Sequence, residues 1–124
     1  MTDPAADAAR AAAAHFAAEI GPGLPAEVEI RLASRSYANR RPAQYDTGLV
    51  VSIAALIVTV AQLAQSIWAA HREHNPEPSP EAIARETRIE LREFEVSLSE
   101  GTLRITEFIA VEITRQNASA GYQD

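Results

Sequence analysis

Two histidines stand three apart in His71-Arg72-Glu73-His74, and Glu77 follows closely. On a helix, side chains three or four apart share a face, and His with Glu is a ligand set that zinc accepts. No third ligand is identifiable. Basic residues at a helix C-terminus also complement the helix dipole, so the group reads as a solvated helix end. Arg40-Arg41, with Tyr37 and Tyr45 nearby, carries the donors to hold a phosphate or an acidic partner strand; a solvated loop is the plainer reading. His15 stands alone in an Ala-rich stretch and reads as structural. Glu90, Glu93 and Glu95 lie among Arg88 and Arg92, a pattern usual for a solvated face with weak ion pairs. There is no Walker loop, no G-x-G-x-x-G, no G-x-S-x-G and no H-E-x-x-H. We expect no catalytic residue, cofactor, metal or small-molecule ligand, and read the chain as non-enzymatic.

Composition narrows the classes further. The chain has 124 residues, 47% of them hydrophobic, enough for one domain with a core. Its net charge of -6 argues against nucleic acid as a partner. All 11 basic residues are Arg and Ala is abundant, a bias that points to a GC-rich bacterial source. The absence of Cys excludes disulfides, Cys-ligated zinc, iron–sulfur clusters and thiol nucleophiles. Asp3 and Asp7 replace the basic start of a secretory signal, so the expected location is cytoplasmic.

The elements that would position any site centre on an uncharged run from Thr47 to Ala70. As a helix it spans roughly 36 Å, against a bilayer core of ~30 Å. The full helix is expected over 46–73, with Asp46 as its cap. Residues 1–20 form an Ala-rich N-terminal helix, capped by Thr2 or Asp3 and carrying only Phe16 and Ile20 as large apolar groups, hence weakly docked. A single small domain over 26–115 follows, then a flexible tail over 116–124.

Residues 26–33 alternate, with Val28, Ile30 and Leu32 on one side and Glu27, Glu29 and Arg31 on the other, as a half-buried strand does. His74 to Pro80 is a linker, and Ser79-Pro80-Glu81 is a helix start. Beyond it the signals conflict. Ile89, Leu91, Phe94, Val96 and Leu98 alternate, and Glu100-Gly101 fits a hairpin turn that sets Leu98 opposite Leu103 and Val96 opposite Ile105. The rival is two helices, one carrying Ile83, Thr87, Leu91 and Phe94, the other Ile105, Phe108, Ile109 and Ile113. Strand 26–33 needs a partner, which favours the hairpin. The expected fold is α+β, a long central apolar helix on a small antiparallel sheet made of strand 26–33 and a C-terminal hairpin at about 88–113. The alternative is a mostly helical chain with one transmembrane span.

Within the long helix, Ser52, Ala55, Thr59, Gln62, Ser66 and Ala69 form a heptad-spaced seam of small and polar groups. Ile53, Ile57, Val60, Ala64, Ile67 and Trp68 lie opposite. An ordinary surface helix carries charge on its outer face; here neither face does, so both need cover. In water the Ile face would lie on the sheet and the seam would meet another subunit or a protein partner. In a membrane the seam would be a helix–helix contact, and Arg35, Arg40 and Arg41 would keep the N-terminal side of a cytoplasmic-membrane span in the cytoplasm.

The order strand 26–33, polar loop, uncharged helix ending in SIWAAHREH, then a Glu/Arg-rich strand pair resembles the effector-associated constant components of actinobacterial conflict systems, over about residues 26–115. The resemblance implies a non-enzymatic adaptor beside peptidases and signalling ATPases, and carries over no functional residue. The expected function is a protein interaction or self-assembly module, an accessory component of a bacterial system. A single-span membrane anchor or small membrane effector is the alternative.

Overall fold

The structure, a computed structural model, describes residues 3–34, 49–93 and 99–121. Among these it contains five helices and no strand: α1 (Pro4–Ile20), α2 (Leu24–Ser34), α3 (Leu49–Arg72), α4 (Pro80–Glu93) and α5 (Glu100–Gly121). The expected α+β fold is therefore corrected: among the described residues the fold is helical, as the mostly helical alternative has it. The expected cap at Asp46 lies outside the described residues.

The Asp3 carboxylate caps α1, accepting the amides of Ala5 and Ala6 at 3.1 and 3.2 Å. Weak docking is not what this helix shows. Ala8, Ala9, Ala12 and Ala13 are wholly buried, and Phe16 nearly so. Their small side chains let the backbone of α1 lie close to its neighbours α2, α3 and α5. At Gly21 the chain takes φ 156°, a conformation that L side chains rarely adopt, and its N–H closes on the Ala17 carbonyl at 2.8 Å.

Residues 26–33 belong to α2. Leu24, Val28 and Leu32, four apart, form its buried row, while Ile30 points out at 54% exposure. The alternation that suggested a strand depends on Ile30. A helix closes its own backbone hydrogen bonds, so this segment needs no sheet partner. It packs on α1 and α3 instead.

The C-terminal hairpin is likewise replaced by helices. Ser99 caps α5: its Oγ accepts the Thr102 amide at 3.1 Å, and its carbonyl accepts from Leu103 at 3.0 Å. Glu100 and Gly101 are thus a first helical turn, and Gly101 lacks the positive φ a hairpin turn would need. Ile105, Ile109 and Ile113 line the buried face of α5. Ile83, Ala84, Thr87 and Leu91 do so on α4, with Ser79 Oγ accepting the Ala82 amide at 3.2 Å. Buried Thr87 and Thr106 turn their hydroxyls back onto the carbonyls four residues earlier, at 2.7 and 2.8 Å. The alternation that suggested a strand here includes Ile89, which points out at 49% exposure. Val96 and Leu98 lie outside the described residues. α5 runs through the expected loose tail as far as Gly121.

α3 touches each of the other four helices. Those four form a chain of contacts around it, α2 to α1 to α5 to α4, and α2 and α4 at its ends do not touch. The wrapping around α3 is therefore open on one side.

Candidate docking face on the central helix

α3 has two unlike sides. Ala54, Ile57, Val58, Val60, Ala61 and Ala64 are buried and form the middle of the core. The sequence-derived seam faces the other way: Ser52, Thr59, Gln62, Ser66 and Ala69 are exposed, and Ala55 is half-buried. The structure brings all six onto one strip along the helix, at the side its neighbours leave uncovered. Half-buried Leu56 and Leu63 border it. Within the chain itself the inner face is covered and the seam is not.

The strip carries no charge, because no Asp, Glu, Lys or Arg occurs between Thr47 and Ala70. Among the described residues the side chains of Ser52, Thr59, Gln62 and Ser66 make no hydrogen bond. Gln65, just off the strip, behaves differently. Its amide is paired with Asn117 of α5, whose Nδ2 donates to Gln65 Oε1 at 2.8 Å. Gln65 thus serves the contact with α5, and Gln62 stands on the surface. Asn117 stands in the stretch expected to be a loose tail, and no local pattern marks its pairing with Gln65.

Val50–Arg72 has a mean hydropathy of 2.0 in its most apolar window and is long enough to cross a bilayer; 39% of that window is buried in the protein.

The other chemical candidates fare differently. His71 Nε2 stands 4.0 Å from Glu86 of α4, and among the described residues no group of three His, Asp or Glu side chains is placed to hold a metal. His15 stacks on Phe108 of α5, ring centroids 4.4 Å apart, and meets Phe16 edge-on at 4.8 Å. Beside this cluster, Arg104 grips Glu19 with two hydrogen bonds of 2.9 Å. That contact holds the Glu19 carboxyl below its usual range and pushes the guanidinium up. Glu90, Glu93, Arg88 and Arg92 belong to α4. Tyr37, Arg40, Arg41, Tyr45 and Glu95 lie outside the described residues.

One feature escaped the sequence reading: a groove where Trp68 and Arg72 of α3 face α5 and the Pro76–Pro80 segment. The i, i+4 spacing of Trp68 and Arg72 beside three alternating prolines was the available signal.

The chain matches no family model, no curated protein and no solved structure.

Proposed function

We propose that this chain is a non-enzymatic interaction module that self-associates, or joins a protein partner, through the outward strip of α3. One observation carries the reading. Ser52, Thr59, Gln62, Ser66 and Ala69 are exposed along a helix that carries no Asp, Glu or Arg before Arg72 in its last turn. Solvated helix faces usually carry charged residues among their polar ones, and an uncharged strip of small side chains bordered by Leu56 and Leu63 is suited to close packing by a second helix. Small groups let a second helix approach closely, and the unused hydroxyls and amide supply hydrogen bonds that fix its register. The opposite side of α3 is the centre of the core, so the strip is held on a rigid support. An accessory role in a bacterial system is the setting we propose; of the pattern behind the resemblance to effector-associated constant components the uncharged helix stands, while its strand 26–33 is a helix.

The second reading, a membrane anchor or small membrane effector, draws support from the length and hydropathy of the same helix. It requires α3 to leave its four neighbours.

Sedimentation of the full chain in detergent-free buffer tests both. The interaction reading expects a soluble dimer or larger species at micromolar concentration, and monomers for Thr59→Glu/Ser66→Glu. A wild-type monomer would overturn self-association. Recovery only in the membrane fraction, resistant to carbonate, favours the anchor.

A further inference from the structure

The groove at the C-terminal end of α3 has a volume of about 520 Å³, within the range of about 300–1,000 Å³ usual for small-molecule sites. Its walls are apolar, formed by the Trp68 indole, Pro76 and buried Pro78. Two charges of opposite sign line it, Arg72 and Glu77, and among the described residues neither is ion-paired. The Arg72 guanidinium is held over Trp68, 5.3 Å from the ring centroid. That contact orients the cation and leaves its N–H donors for an anion.

The α5 side of the groove offers acceptors rather than donors. The Thr114 hydroxyl donates to the Ala110 carbonyl at 2.8 Å, so its oxygen can only accept. Both Asn117 amide hydrogens are used, on Gln65 and on the Ile113 carbonyl, each at 2.8 Å. Asn117 Oδ1 receives only a long 3.5 Å contact from Gln65. A ligand that fits must bring a carboxylate for Arg72, N–H donors for Glu77, Thr114 and Asn117, and an apolar body for the Trp and Pro walls.

We propose that this groove binds a free α-amino acid with an apolar side chain, its carboxylate on Arg72 and its ammonium toward Glu77. One cation and one anion on the lining of the same apolar groove favour a zwitterion over either a simple acid or a simple amine. The site is separate from the α3 strip, and its occupancy does not depend on the interaction reading.

Trp68 is the only tryptophan in the chain, so its emission reports directly on the groove. Phenylalanine and leucine are titrated into the full-length protein, with N-acetylphenylalanine and phenylalaninamide as controls. The expected result is a saturable change with the free amino acids, and affinities lower by about tenfold or more for the two capped compounds and for Arg72→Gln and Glu77→Gln. Both substituted side chains are on the surface, and far-UV circular dichroism verifies that the variants fold. No saturable change with either amino acid, by emission and by calorimetry, overturns the proposal. Equal binding of N-acetylphenylalanine also overturns it and assigns the groove to a peptide C-terminus.

Discussion

Asn117 of α5 and Gln65 of α3 exchange their amides across the core edge. Asn117 Nδ2 gives one hydrogen to Gln65 Oε1 at 2.8 Å and the other to its own helix at the Ile113 carbonyl, also at 2.8 Å. A buried amide left without partners is costly, so this pair fixes where the last turns of α5 sit against α3. Asn117→Ala should cost about 1–2 kcal/mol. A double-mutant cycle with Gln65→Ala should show coupling of about 0.5 kcal/mol or more. Urea unfolding of the four proteins measures it, and strict additivity would show that the pair carries no joint energy.

The same pair shows where sequence reading stops. The uncharged run, the start at Ser79 and the seam from Ser52 to Ala69 were legible, because each depends on local residue types and helical spacing. The fold class was misread at two places. At 26–33, Ile30 completes an alternation that the buried row Leu24, Val28 and Leu32 does not need. At 99–101, Ser-Glu-Gly suits both a turn and a capped helix start, and only the Ser99 contact to the Thr102 amide distinguishes them. A partner for Gln65 fifty-two residues away leaves no trace in a single sequence.

The four alanines at 11–14 look identical in sequence but occupy different surroundings. Ala12 is wholly buried against neighbouring helices, whereas Ala14 is exposed. Ala12→Leu should overpack the core and cost about 1–3 kcal/mol. Ala14→Leu should stay within about 0.5 kcal/mol of wild type. Thermal unfolding of the two variants checks this, and equal effects would mean that α1 is not seated as described.

The Glu19–Arg104 fork makes a prediction about pH. Hydrogen bonding from Arg104 lowers the Glu19 pKa in the folded protein. Stability from the pair is therefore present above the unfolded-state value of Glu19 and is lost as the pH falls through the lower folded value. Wild type should have a higher urea midpoint than Glu19→Gln at neutral pH, and the two should converge in acid. Because both partners are exposed, salt should shrink the difference. A gap that persists in strong acid would show that the carboxylate charge is not its source.

Two glycines should respond to alanine with opposite signs. Gly101 lies in the first turn of α5 without positive φ, and a Cβ there would meet nothing closer than Ser99 Oγ at 3.9 Å. Gly101→Ala removes unfolded-state entropy without strain, so it should stabilise by about 0.5 kcal/mol and raise the Tm by about 2 °C. Gly21 has φ 156°, and its Cβ would approach Val50 Cγ2 at 3.1 Å. Backbone strain and the tight contact with α3 then act together, and Gly21→Ala should destabilise by about 1–3 kcal/mol. Calorimetry of the two single variants gives both signs in one experiment. A loss of stability in Gly101→Ala would show that the first turn of α5 is not seated as described.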